Sequence, residues 1–374
     1  MKRSILFRGY YGMRNTGDDA FCAVAAWAAR NIWNFDDIRF AARELPRLPV
    51  PARRVYSTQH RMSGQTHLEL MLQLMRTQHF VYGGGSLFHS RLSYGNLNLI
   101  PYIFTYVRGL RVGAVGVSLG PYRSEKARAS IREFLCRFHF LALRDRKSYE
   151  DACDMNLPYK PVVAFDLAAL LPEAAGVPID SLKGEVSPVL GVSICRSESF
   201  SGGDVSIEKR RLSLTAEALI QLARTHPREL TVRLFTINGH PSVGDEAATR
   251  ELSEAISPHC RVQTVPYIPD PVDVWKRIAE CKAVFSIRLH GAILACFAKT
   301  PFLHVEYHRK CTDFLDDVEY PRGWRIGDFD RSPDEVASLL DALLLRDDEE
   351  DYPVDLDPLM ERARMNFTES SFRS

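Results

Sequence analysis

Short apolar runs recur along this chain, each followed by a polar turn and then a longer stretch with helical spacing. In the first half the runs are SILF (4–7), DIRFAAR (37–43), HFVYGGG (79–85), RVGAVGVSL (111–119), HFLALRD (139–145) and VVAFDLAALL (162–171). Helical stretches fall between them, from Asp18 to about Arg30, at THLELMLQLMRT (66–77) and at SEKARASIREFLCRF (124–138). The pattern restarts at VLGVSIC (189–195) and continues through LTVRLFTI (230–237), RVQTVPY (261–267), AVFSI (283–287) and PFLHVEY (301–307). Helices are expected there at 211–225, 270–282, 291–299 and 332–345. Apolar strands alternating with helices dictate a parallel sheet covered on both faces.

The segment 172–188, PEAAGVPIDSLKGEVSP, mixes proline, glycine and charge as a linker does. The expectation is therefore an α/β chain of two Rossmann-like doubly wound domains facing a cleft. The first spans 1–175, the second 185–350, and a helical tail follows over 351–374. A length of 374 residues fits two domains at roughly 150 residues each. Basic and acidic residues balance, 48 against 47, so no global charge points to nucleic acid, and an anion site must be built locally. The eight cysteines form no CxxC pair and no zinc-spaced cluster with histidine, which predicts a reduced, cytoplasmic protein without a metal. The start, MKRSILFRGYYG, reads as no secretory leader, and no run approaches the ~18 apolar residues of a membrane span.

Cations gather where the expected strands end. In FSIRLHGAILACFAKTPFLHVEYHRK (285–310), Arg288 and His290 lie at the turn between a strand and a helix, and Lys310 ends the next strand. A helix N-terminus beside an arginine fork suits phosphate or carboxylate. The alternative is that Arg288 pairs with a nearby carboxylate and His290 caps the helix. Arg196 follows VLGVSIC, and Arg144 ends LALR. The first turn, RGYYGMRNTGDDA, is not GxGxxG; it ends in Asn15, a candidate binding residue, followed by Thr16, Gly17, Asp18 and Asp19. Asp18 or Asp19 either caps the helix or serves as a carboxylate acting as general base or hydroxyl acceptor. Gly84 and Gly85 in VYGGGSLF permit close backbone approach to a ligand, or simply a tight turn. Tyr10, Tyr11, Phe88 and Tyr94 are aromatics able to stack on a sugar or to pack in a core.

The ordered set GYYGMRNTGDDA, VYGGGSLF, ALRDRKS, VAFDLAALL, GVSICR and SIRLHGAILACFAKTPFLHVEYHRK resembles the polysaccharide pyruvyl transferases. That resemblance implies a GT-B-like fold. It implies transfer of the enolpyruvyl unit of phosphoenolpyruvate onto two hydroxyls of one sugar, giving a pyruvate ketal and phosphate. It further implies a lipid-linked saccharide acceptor, peripheral membrane contact at the inner face, and no cofactor beyond the donor substrate. By position, Arg288, His290 and Lys310 match the family's donor site, Arg144 its RD arginine, and Asp18 and Asp19 its acidic pair. Arg196 matches less directly, because Cys195 intervenes. In that chemistry His290 is the candidate acid that protonates the alkene, and Asp18 or Asp19 the hydroxyl acceptor. Rival readings are a nucleotide-sugar glycosyltransferase of the same architecture and a non-catalytic glycan- or anion-binding protein.

Overall fold

The computed structural model describes residues 3–59, 62–94, 96–182, 187–226, 230–346, 352–370 and 372. The domain limits expected at 185 and at 350–351 lie outside the described residues, as do linker residues 183–186. The chain divides into two compact units. The first comprises Met1–Met13, Asp18–Ala175 and Asp357–Ser374; the second comprises Arg14–Gly17 and Gly176–Leu356.

The N-terminal unit runs β1 (Ser4–Arg8), α1 (Thr16–Asn31), β2 (Asp37–Phe40), β3 (Arg53–Arg54), α2 (Gln65–Leu74), β4 (His79–Phe88), α3 (Leu99–Val107), β5 (Arg111–Leu119), α4 (Glu125–Leu135), β6 (Phe138–Leu143), α5 (Arg146–Asp154), β7 (Val162–Val163) and α6 (Leu171–Ala175). Its strands pair in parallel in the order β3-β2-β1-β4-β5-β6-β7. The C-terminal unit runs β8 (Ser187–Ser193), α7 (Ser197–Ser201), α8 (Val205–Thr225), β9 (Thr231–Phe235), α9 (Glu246–Ile256), β10 (Arg261–Val265), α10 (Pro271–Ala279), β11 (Cys281–Ser286), α11 (Leu289–Cys296), β12 (Phe302–Glu306), α12 (Arg309–Asp317), β13 (Arg325–Gly327) and α13 (Pro333–Leu344). Its parallel order is β10-β9-β8-β11-β12-β13. Both sheets reverse direction of growth at one point, between β1 and β4 and between β8 and β11. This is the doubly wound pattern that apolar strands alternating with helices predict.

Each unit has its own core. Leu6, Phe80, Tyr82, Val112 and Leu141 are buried in one, and Leu190, Val232, Phe285, Leu303 and Leu340 in the other. The apolar run 162–171 is not one strand. It gives a two-residue strand and then a 3-10 turn, because Asp166 is buried, caps that turn through the Ala168 N–H and pairs with Arg144. Among the described residues no helix is long and apolar enough to cross a membrane.

The last helix, α14 (Leu356–Thr368), packs on the N-terminal unit through polar bonds made in a dry setting. Asn366, fully buried, accepts the Gly116 N–H at 2.7 Å and donates to Phe165 O and Ala363 O at 2.9 Å. The Trp33 indole donates to Phe367 O and Ser370 O. Asn366→Ala orphans a buried donor and acceptor and is expected to lower the unfolding free energy by about 2 kcal/mol. Urea denaturation measures it; a loss below about 0.5 kcal/mol would mean that water replaces the side chain.

Candidate functional site

In open parallel sheets, ligand sites open beyond the carboxyl ends of the strands at the reversal point. In the C-terminal unit that point lies between β8 and β11, whose last residues are Ser193 and Ser286. Their hydroxyls are 2.7 Å apart. The Ile287 N–H donates to Ser193 O at 2.8 Å, and Ser286 Oγ donates to Arg288 O at 2.7 Å. From β12, His304 donates its Nδ1–H to Ser286 O at 2.6 Å. The turn that follows β11 is thus tied on both sides. A Cβ at residue 291 would stand 2.2 Å from Ser193 Oγ and 2.4 Å from Ser286 Oγ, so only glycine fits beneath the paired hydroxyls. Helix α11 begins at Leu289, two residues earlier than its small-residue run predicts, because Arg288 already takes the N-cap position with extended backbone. His290 therefore lies in the first helical turn.

Asp245, just before α9, is completely buried and accepts Arg288 Nη2 at 2.6 Å. The same carboxylate accepts the backbone N–H groups of Arg196 at 3.3 Å and Asn238 at 3.2 Å. Burial opposes the charge of Arg288, but the surrounding groups, the Asp245 carboxylate foremost, together outweigh it and hold the guanidinium firmly protonated. Arg288 Nε is buried without a hydrogen-bond partner among the described residues. An orphaned buried donor in a native site calls for a ligand, water or ion.

Residues Arg14–Gly17 belong with this unit. Thr16 donates both its N–H and its hydroxyl to Ile237 O, Gly239 N–H donates to Arg14 O at 2.8 Å, and Asn15 pairs antiparallel with Asn238. Gly17 lies flat against the His290 imidazole; a Cβ there would come within 2.2 Å of the ring. Asn15 Oδ1 accepts the Gly17 N–H at 3.1 Å, so the residue at the helix-capping position is Asn15 and not Asp18 or Asp19. Both aspartates sit instead in the first turn of α1, buried, in the N-terminal unit.

The remaining candidates are placed as follows. The Arg196 guanidinium turns to Ser199 Oγ at 3.2 Å and Glu208 at 3.8 Å. Lys310 does not end a strand; β12 stops at Glu306, and Lys310 lies exposed in the first turn of α12, its N–H accepted by His308 Nδ1. Tyr307 links the end of β12 to that of β8 through Cys195 Sγ at 3.3 Å, and Arg211 stacks on the Tyr307 ring. Burial pushes the Cys195 thiol and the Tyr307 phenol up. In the N-terminal unit, Arg144 donates to Ser118 Oγ and forms a buried pair with Asp166 at 2.9 Å. Gly84 and Gly85 take consecutive positive φ of 73° and 79° in β4. Phe88 and Tyr11 are buried, while Tyr10 and Tyr94 are exposed.

The geometry thus joins Arg288, His290, Asn15 and the Arg196 backbone, and adds Asp245, Ser193, Ser286, His304 and Gly17, which the sequence patterns did not single out. Among the described residues no group of three or more His, Cys, Asp or Glu side chains is placed to hold a metal ion.

Fold and site together define an α/β protein of the GT-B-like class with an arginine–histidine turn at a strand–helix junction. The chain matches the polysaccharide pyruvyl transferase family over residues 15–309 and belongs to it. No curated protein matches it. Its solved structural neighbours include the UDP-GlcNAc 2-epimerase of Methanocaldococcus jannaschii, at 12% identity and TM-score 0.63, with 99% of this chain and 100% of that one covered. A putative UDP-N-acetylglucosamine 2-epimerase of Listeria monocytogenes aligns over 100% of both chains at 11% identity and TM-score 0.62. The Neisseria meningitidis UDP-GlcNAc 2-epimerase, solved with UDP-GlcNAc bound, aligns over 99% of this chain and 100% of that one at 10% identity and TM-score 0.59. At such identity the likeness is one of fold.

His304 gives the site a pH signature. Burial drives its imidazole from the ordinary 6.5 down to about 4. The neutral ring contributes stability in full above pH 6.5, and that stability is lost as pH falls toward 4. The loss from this group alone is about 3 kcal/mol. His304→Asn keeps a donor for Ser286 O and does not titrate. Unfolding free energies measured at pH 6.5 and pH 4.5 should therefore fall less in the variant than in the parent chain; equal slopes would show that His304 protonates freely in the folded protein.

Proposed function

We propose that the protein transfers the enolpyruvyl unit of phosphoenolpyruvate onto two hydroxyls of a sugar in a polysaccharide precursor, with release of phosphate. The observation that carries this reading is the Arg288–His290 turn, held by buried Asp245 and backed by Gly17, in a chain of the pyruvyl transferase family. Arg288 binds an oxyanion of the donor with the N-terminal turn of α11 beside it, Lys310 adds positive charge, and Arg196 contributes through its backbone N–H to Asp245. His290 delivers a proton to the methylene carbon of the alkene. The second carbon gains positive character and is attacked by a sugar hydroxyl, whose proton passes to Asp18 or Asp19. Phosphate leaves, taking up the proton held by the aspartate, and a second hydroxyl closes the ketal, its proton restoring His290. Asn15, Gly84 and Gly85 contribute polar and backbone contacts, and Arg144 acts through Asp166. Phosphoenolpyruvate is a substrate, and the reaction draws on no further cofactor. The acceptor is a lipid-linked saccharide handled at the inner face of the membrane.

The direct test is incubation with phosphoenolpyruvate and a panel of lipid-linked saccharides, followed by phosphate release and mass spectrometry. Added pyruvate on the glycan is the expected product; release of a nucleoside diphosphate from nucleotide sugars instead would overturn the reading. His290→Gln is expected to lower turnover by about 10² or more with the fold intact. An unaltered rate would take His290 out of the chemistry. For Arg288, the variant of choice replaces both members of the buried pair, Arg288→Met with Asp245→Asn, so that no charge is left orphaned. Its KM for phosphoenolpyruvate should rise about tenfold or more, the loss of one charge-assisted hydrogen bond. A KM within about twofold of the parent, with the circular dichroism spectrum preserved, would rule out donor binding by Arg288.

A further inference from the structure

We propose that the exposed apolar face formed by α2 and α3 of the N-terminal unit docks the protein onto an anionic lipid surface. On α2 and at its C-cap, Leu68, Met71, Leu72 and Met75 recur at intervals of three and four residues, which aligns them along one stripe of the helix. Every one of them is exposed. The opposite stripe, Leu70 and Leu74, is buried. Helix α3, LIPYIFTYV, carries no charged residue. Pro101 and Phe104 bury one side of it, while Ile103, Tyr106 and Val107 stand out to solvent, Val107 at 66% exposure. A helix apolar on all sides is ordinarily enclosed by protein or lipid.

The two stripes adjoin. The helices pack against each other, and Arg108, one residue past α3, donates to Met75 O at 2.6 Å. Seven large apolar side chains on two neighbouring helices exceed the scattered exposure that a soluble surface normally shows.

Charge decides among occupants. Arg76 ends the α2 stripe, Arg108 joins the two helices, and Arg137 lies over the Tyr106 ring at 4.0 Å. The one acid within α2 and α3 is Glu69, which turns away to Ser57 and Gln65. Glu133 is engaged by the Tyr102 hydroxyl. An apolar face of leucine, methionine and tyrosine with a rim of arginines is complementary to the headgroup–acyl boundary of an anionic bilayer. The proposal does not depend on the reaction assigned above, since it rests on other residues and is read by binding rather than turnover.

The test uses the full chain with extruded vesicles of equal parts phosphatidylglycerol and phosphatidylcholine, and with vesicles of phosphatidylcholine alone. Cosedimentation with the anionic vesicles is expected, weakened when salt is raised to about 0.5 M. Leu72→Glu with Val107→Glu should reduce vesicle affinity at least about tenfold while thermal unfolding stays near that of the parent. Arg76→Ser should weaken binding to anionic vesicles by a few-fold, on the order of one cation's share. Absence of vesicle binding, or binding unchanged by the paired glutamates, overturns the proposal. So does a dimer in light scattering that Val107→Glu returns to monomer, because a second copy would then be what covers this face.

Discussion

A carboxylate with no exposed surface grips an arginine at 2.6 Å, and the C-terminal unit's site is organised around that pair. Two charges removed from water are tolerated only where geometry is good and the remaining lone pairs are satisfied. Asp245 meets the condition by accepting backbone N–H groups from the ends of two other strand-following segments, at Arg196 and Asn238. Asn238 in turn pairs with Asn15, and its neighbour Ile237 receives Thr16. The pair therefore fixes the chain after β8, β9 and β11 and, through these bonds, residues Arg14–Gly17. A change at any one of these segments is felt by the others, because the buried carboxylate has no water to fall back on.

The doubly wound parallel class was legible because period alone carries it: apolar strands, polar turns and helical stretches repeat in the series that such a sheet requires. The Arg288–His290 turn was legible for a related reason, since chemistry at a strand end stands out against an apolar run. Asp245 was not. It lies in NGHPSVGDE, a polar loop where hydrophobic period is silent, and its partner is 43 residues away in the chain. His304 was hidden in the opposite way, among Leu303 and Val305, where an imidazole reads as part of a strand. The helix α9 was missed because its buried positions, Thr249, Leu252 and Ile256, are few and separated by charge. Helix starts were misplaced where a polar side chain upstream took over the cap: by two residues where Asn15 stands before Asp18, and by six at α8, which Asp204 caps so that it begins at Val205 rather than 211.

The glycines report how tightly the site is assembled. At Gly17 and Gly291 the constraint is contact rather than backbone freedom: one faces the His290 ring, the other the hydroxyls of Ser193 and Ser286. Interiors packed to crystal-like density transmit such contacts as position. The imidazole is consequently bounded on one side by backbone that belongs to the first loop of the chain, which explains why residues so distant in sequence have to be read together.

The site's arginines do not make it strongly electropositive. Arg288 has Asp245, Arg196 has Glu208 at 3.8 Å, and Arg211 has Asp328 bound through two nitrogens. Net charge over the whole chain is +1, so long-range attraction of an anion is weak. What the arrangement supplies instead is direction. A guanidinium presents planar donors in a fixed fork, and a carboxylate clamped to one of its nitrogens removes the freedom to turn. Such a donor favours an anion whose oxygens lie in matching directions, a carboxylate or a phosphate, over a spherical ion of equal charge. In the proposed reading selectivity is a property of orientation, and orientation is what the buried carboxylate, the paired serines and the histidine on the neighbouring strand hold.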